Sequence, residues 1–292
     1  MPTLAEIIKE KSDRLDSVPT AFNKRVIDSQ KAIFAELLEL LDKLDKNNGE
    51  IIISAKNLEI IDDILEKLQG VVNQSEYVSA VRDFAKEFDQ QGKITQEYFE
   101  KAFDRTEFTK LQEAVLKAKK REAVELLVGG NLDGALYSPI RKILTDSVSS
   151  GSSLKDTIAG LRNVIEGGDG RLGTLDRYTK QIAYDSMATA DRAYTNAIAD
   201  EIGAEWYRYV GGEIKDTREF CHTRNGNYYH RKEVESWGLL KEWDGKAKGT
   251  NPNTIFILAG GYNCQHSILP VLKSSVPKDV IERNIANGNY SE

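Results

Sequence analysis

Apolar residues recur at helical spacing through the first 130 positions. Thr3-Leu4-Ala5-Glu6 has the Ser/Thr-x-x-Glu form of a capping box and opens the series. A longer helix is expected after Pro19-Thr20. Val26, Ile33, Leu37, Leu40 and Leu44 trace one face of it, and Ile27, Phe34, Leu38 and Leu41 widen the stripe. Asn47-Asn48-Gly49 is its stop. Residues 50–54 read as a short strand or as the approach to the next helix. Leu58, Ile61, Leu65 and Leu68 mark that helix, closed by Gly70. Tyr77, Val81, Phe84 and Phe88 mark another, ended by Gly92, and Tyr98, Phe99 and Phe103 a shorter one. Leu111, Val115, Leu116, Val124 and Leu127 carry a long one to Gly129-Gly130. Amphipathic helices with short connections imply a bundle or extended helical hairpins.

The middle of the chain is punctuated. Ser149-Ser150-Gly151-Ser152-Ser153 is a polar break, with Ser153 as cap for a helix over 154–165. Residues 166–173 (EGGDGRLG) read as a flexible loop or hinge. A helix from about 174 to 202 carries Ile182, Met187, Ala190, Tyr194 and Ile198, and Gly203 stops it. Beyond it the texture changes. Trp206-Tyr207-Arg208-Tyr209-Val210 reads as a strand ended by Gly211-Gly212, and 254–259 as a second strand. Asn225-Gly226-Asn227 and residues 249–252 are turn signals, and the tail from 277 holds one or two helical turns. The expected class is predominantly helical α+β: an N-terminal helical region over 1–130, a small α+β module over 131–272, and a tail over 273–292.

Composition narrows the functional classes. The 292 residues are 40% hydrophobic and 29% charged, which a folded domain can have and a disordered chain does not. No apolar run reaches the roughly 18 residues that span a bilayer, so no membrane partner is expected. Met1-Pro2-Thr3 leads into charged, helix-like sequence rather than a secretory signal. Two cysteines cannot form a disulfide framework, which suits a reducing cytoplasm. The net charge of −6 argues against a protein that coats nucleic acid. The densest basic run, Lys117-Ala118-Lys119-Lys120-Arg121, is flanked by Glu113, Glu122 and Glu125. It reads as a solvated helix face, with weak, sequence-independent DNA contact as the alternative.

The rare residues are concentrated. All three histidines and both cysteines lie between Cys221 and His266. Cys221, His222 or His230, Cys264 and His266 are candidate zinc ligands, although their spacing is not that of a zinc finger. Two other readings stand beside it: buried cysteines acting as small hydrophobes with hydrogen-bonded histidines, and a disulfide formed in an oxidising setting. The glycine-rich stretch at 166–173 lacks the Lys-Ser/Thr ending of a phosphate-binding loop.

Several pieces occur together in a familiar order: Tyr209 to Gly212 as Tyr-x-x-Gly, then Asp216-Thr217-Arg218-x-Phe220-Cys221, Gly226, Trp243-Asp244-Gly245, and Gly260-Gly261-x-Asn263-Cys264-x-His266 closing on Pro270-Val271. With the preceding helix, which carries Asp185, Thr189, Asp191 and Asn196, they resemble the phage Mu F-like minor head (head morphogenesis) protein family over roughly 135–272. Many members carry paired cysteines in both clusters, whereas this chain has one in each. The resemblance implies a minor capsid protein inside the virion near the portal vertex, present in the host cytoplasm during assembly. Its partners would be the portal protein and the major capsid protein, bound through the helical region over 1–130, and weakly the packaged DNA. It would act in head assembly or DNA delivery, not as an enzyme and without a cofactor unless zinc is bound. Histidine near asparagine and cysteine in a small α+β module also fits a metal-dependent nuclease of the HNH type or a cysteine nucleophile with a histidine base, carried in the virion, and the family domain's fusion to toxin-like enzymes keeps that alternative. On the structural reading, Arg218 pairs with a carboxylate such as Asp216 or with backbone carbonyls, and Asn263 holds a turn. Gly226, Gly260 and Gly261 then supply special backbone angles.

Overall fold

In the computed structural model, which describes residues 2–130, 132–168 and 170–291, the chain is a predominantly helical α+β protein with small antiparallel sheets. Thr3 and Glu6 open helix α1 (Leu4–Leu41) reciprocally: Thr3 N donates to Glu6 Oε2 at 2.7 Å and Glu6 N to Thr3 Oγ1 at 3.3 Å. The break expected at Pro19 does not occur; α1 runs through it. Proline removes one helical hydrogen bond, while Leu15 before it and Phe22 and Val26 after it are fully buried, and that packing keeps the helix whole.

A turn at Asn48 and Gly49, both with positive φ, joins β1 (Lys46–Asn47) to β2 (Glu50–Ile51). Helix α2 (Ala55–Gln74), capped by Ser54, continues past Gly70. Helix α3 (Glu76–Phe103) fuses the two helices expected on either side of Gly92. A Cβ at Gly92 would come within 2.5 Å of Leu116 Cδ2 on α4 (Lys110–Val128), so this glycine marks a close helix approach rather than a helix end. A π-helical turn, Asp133–Tyr137, leads into α5 (Ser138–Ser150). Ser153 caps α6 (Leu154–Ile165) as expected, accepting from Asp156 N at 3.0 Å. Where a flexible loop was expected, β3 (Gly167–Gly168) and β4 (Arg171–Leu172) form a hairpin, with Asp169 outside the described residues. Helix α7 (Thr174–Glu201) follows, and Gly203 ends it at φ 64°.

The C-terminal part is built on β5 (Trp206–Val210), the centre of an antiparallel sheet in the order β6-β5-β7, with β6 (Tyr228–His230) and β7 (Ser267–Val271) at its edges. Trp206 lies across from His230 on one side and Val271 on the other. Helices α8 (Glu219–His222), α9 (Arg231–Trp237), α10 (Ile255–Leu258) and α11 (Lys278–Ala286) complete it. Residues 255–258, expected as a strand, form a helical turn. Asn251 Oδ1 accepts from Asn253 N and Thr254 N just before it, which curls the chain into a turn.

Two compact units emerge, and they cut across the expected segments 1–130, 131–272 and 273–292. One comprises residues 1–18, 86–122 and 184–292, the other 19–85 and 123–183. The reason lies in α1, α3, α4 and α7, each long enough to contribute residues to both. The tail belongs to the first unit, where Val276 and Val280 pack with Trp206. In the second unit, Phe22 stacks on Phe84 with centroids 4.8 Å apart. Buried Asn57 ties the β-hairpin to α2: its Oδ1 accepts from Asp45 N at 2.8 Å and its Nδ2 donates to Ile52 O at 2.7 Å.

The first unit holds an ion pair in its interior. Lys11 on α1 and Asp191 on α7 are 2% and 1% exposed and bond directly. Lys11 Nζ also donates to Thr95 Oγ1 at 2.6 Å and Thr195 Oγ1 at 3.2 Å, and Gln91 Nε2 donates to Asp191 Oδ1 at 3.0 Å. Burial pulls the Lys11 ammonium below its ordinary value, and the Asp191 charge opposes that pull. Removing one partner strands the other charge. Lys11→Met or Asp191→Leu is expected to cost about 3–5 kcal/mol in urea unfolding, and the Lys11→Met/Asp191→Leu double variant to recover most of it. Additive losses in the double variant would show that the pair is not coupled.

Candidate functional site

Strand alternation sends Trp206 and Tyr209 of β5 to opposite faces. Tyr209, fully buried, carries its hydroxyl into the core between two sulfurs. It donates to Cys221 Sγ at 3.3 Å and lies 3.8 Å from Cys264 Sγ. The two sulfurs are 3.8 Å apart, and both cysteines are free and buried. His266 Nδ1 lies 3.9 Å from Cys264 Sγ, and its ring stacks on Tyr209 with centroids 5.3 Å apart. Cys221 comes from α8, while Cys264 and His266 come from the loop entering β7.

Three of the four expected ligands therefore meet, and His230 does not. Its register across from Trp206 puts it on the other face of β5 from Tyr209. There its ring packs edge-on to Trp206 at 5.0 Å, and its Nδ1 accepts from Lys232 N at 3.3 Å as the cap of α9. His222 is also elsewhere, exposed and 3.2 Å from Glu213 Oε1. Arg218 pairs with Asp244, Nε to Oδ2 at 3.6 Å, rather than with Asp216, which is exposed. Asn263 sits at φ 55°, and its backbone N donates to Asp185 Oδ1 at 2.6 Å.

Glycines make the room. A Cβ on Gly260 would overlap Cys221 Sγ and come within 2.9 Å of Cys264 Sγ. One on Gly211 would stand 2.6 Å from the His266 ring. Gly226 and Gly261 have φ of 81° and 98°, as the expected special angles require, while Gly260 is needed for space.

Three residues of the site carry no assigned role in the sequence reading: Tyr209 and Asp185 enter only as parts of the resembling pattern, and Arg192 not at all. Tyr209 supplies the central hydroxyl. Arg192, buried on α7, donates to Ile257 O at 2.8 Å and to Cys264 O, fixing the cysteine loop from behind. Asp185, seven residues earlier and so on the same face of α7, holds the loop at Asn263. The inward position of Tyr209 could have been read from the two-residue alternation of β5. Arg192 and Asp185 carry no local signal, because their partners lie far along the chain.

Electrostatics separates the two thiols. The hydrogen bond from Cys221 is the largest influence holding Cys264 well below the usual thiol range, and His266 and Arg192 act in the same direction. The same contact, reinforced by burial, pushes Cys221 up. Burial also pushes the Tyr209 phenol well up, so it remains a donor. A cavity of about 170 Å³ adjoins the cluster, lined by Cys221, Cys264 and His266 together with Asp216, Arg218 and Asn263. Elsewhere, the basic run on α4 is engaged with acids: Lys120 with Asp89 at 2.6 Å and Lys119 with Glu122 at 2.7 Å. Among the described residues, no helix is long and apolar enough to cross a membrane.

No family model, curated protein or solved structure matches the chain.

Two measurements test the site's construction. Gly260→Ala should destabilise the fold by about 1–3 kcal/mol in denaturant unfolding, because a Cβ there would drive both sulfurs away from the Tyr209 hydroxyl that they satisfy. An unchanged midpoint would mean that the sulfurs give way freely. Burial also lowers His230 below the ordinary imidazole value, so the fold favours the neutral ring. That contribution is complete above the unfolded value of about 6.5 and is lost as pH falls from there toward the folded value. Melting temperatures followed down from about pH 7.5 to 5 should decline less steeply for His230→Asn than for the unaltered chain.

Proposed function

We propose that this chain is a bacteriophage head-morphogenesis protein of the Mu F-like kind, associated with the portal inside the head and acting in head assembly or DNA delivery. The observation that carries the reading is the convergence of the motif pieces, scattered over some sixty residues of sequence, on one place around β5. Gly226 N donates to Tyr209 O at 2.8 Å, joining the first piece to the glycine turn. Phe220 stacks on Trp243 at 4.3 Å, and Arg218 pairs with Asp244. Trp243 Nε1 donates to Gly260 O at 3.0 Å, and Tyr262 N to Gly245 O at 2.9 Å. Each piece touches at least one other, so the pieces support one another as parts of a single folding module.

On this reading the motif residues are architectural. The chain serves by binding the portal protein and the major capsid protein rather than by turnover. Its place is the virion interior near the portal vertex, reached from the host cytoplasm during assembly. The ion pairs on α4 favour a solvated face for the basic run and leave DNA a minor partner.

The test is co-expression with the portal and major capsid proteins of the phage that encodes the chain, followed by affinity capture and analysis of purified heads. Capture of the portal ring and presence in heads are expected; absence from both overturns the reading. Cys221→Ala and His266→Ala should lower stability or incorporation into heads. If both variants fold and incorporate normally, the motif residues are not architectural.

A further inference from the structure

From the donor geometry alone, independently of the head-assembly reading, we infer that Cys221 Sγ, Cys264 Sγ and His266 form a three-ligand site for Zn²⁺, with the fourth position supplied by a water from the adjoining cavity.

The sulfur–sulfur distance already suits the metal, and the imidazole stands close by. With zinc–sulfur bonds of about 2.3 Å at a tetrahedral angle, two thiolates stand about 3.8 Å apart, and a thiolate and an imidazole nitrogen about 3.5 Å. The sulfurs here are 3.8 Å apart, and His266 Nδ1 is 3.9 Å from Cys264 Sγ. One ligand atom from each of the three residues lies within 4.8 Å of those of the other two, so a modest turn of the His266 ring closes the set. Other observations point to a bound species. His266 Nε2 is buried without a hydrogen-bond partner, in a residue only 4% exposed, and the cavity at its side is roomy enough for water.

Charge selects the ion. Two thiolates buried together would carry two uncompensated negative charges, which a protein interior does not tolerate. A divalent ion with a neutral imidazole brings the set to zero, whereas Cu(I) would leave one negative charge behind. Two sulfurs and one nitrogen also suit zinc by softness. The surroundings already supply outer support: Tyr209 donates to Cys221 Sγ, and Arg192 holds the Cys264 carbonyl. Gly260 and Gly211 keep their side of the site free of side-chain atoms. Binding releases the thiol protons to solvent as the zinc–sulfur bonds form.

The full-length chain, purified without chelator, should carry about one zinc per chain by elemental mass spectrometry. Reloaded with Co²⁺, it should show thiolate-to-cobalt absorption in the near ultraviolet and the strong visible bands of tetrahedral cobalt. Cys221→Ser and Cys264→Ser should each reduce zinc content about tenfold or more. His222→Ala and His230→Ala should leave it intact. Should the serine variants fail to fold, the cobalt spectrum of the unaltered chain decides the matter. A folded chain with both thiols free that takes up neither zinc nor cobalt overturns the site, and so does a Cys221–Cys264 disulfide in freshly isolated protein. Metal content and portal capture are separate measurements, so failure of one leaves the other standing.

Discussion

The Tyr209 hydroxyl sits in the middle of an apolar core and must find a partner there, because an unmet buried hydroxyl is costly. Its partners are two sulfurs delivered from positions 43 residues apart. That requirement propagates outward. The sulfurs can reach the hydroxyl only if the loop at Gly260 lies directly against them, which forbids a side chain there. The loop in turn needs anchoring, and α7 supplies it through Arg192 on the Cys264 carbonyl and Asp185 on the Asn263 amide. From one polar atom on a central strand follow the glycines, the order of the motif and the polar residues of the helix before it.

A second constraint explains why the first residues of the chain fold with the last. Lys11 and Asp191 are each too costly to bury alone, and they are satisfied only together with Gln91, Thr95 and Thr195. Helices α1, α3 and α7 all contribute to this network. A chain cut at a conventional boundary near 130 would separate a buried cation from its anion. The expected segments followed composition along the sequence, whereas the compact units follow long helices that return.

Much of the helical architecture was legible. The caps at Thr3 and Ser153, the stop at Gly203 and the strand at 206–210 stand as their local chemistry implies. The misreadings share a cause. Pro19, Gly70 and Gly92 read locally as punctuation, but tertiary packing overrides local preference within long helices, and at Gly92 it is the packing that requires the glycine. The run Ile255–Leu258 was too short for periodicity to distinguish strand from helix. Among the histidines, sequence spacing could not tell His230 from His266. Only the register of β6 on β5 sends the former to the far side of the sheet.

This arrangement bears on how an assembly protein would use such a motif. Cys221, Cys264, His266 and Tyr209 are turned inward, so they have no surface left with which to read a partner. On the head-assembly reading, recognition would fall on other surfaces, among them the segments between the motif pieces. There the chain exposes Ile214, 70% accessible, between Gly212 and Asp216, and Leu239, 75% accessible, between Gly226 and Trp243. The two kinds of position face different physical demands. A motif residue answers to several neighbours at once, so a change in it is felt throughout the module. An exposed residue in an intervening segment answers to few, so it can change with the partner while the fold persists. A motif whose spacing survives while the sequence between its pieces varies is what that division of labour would produce.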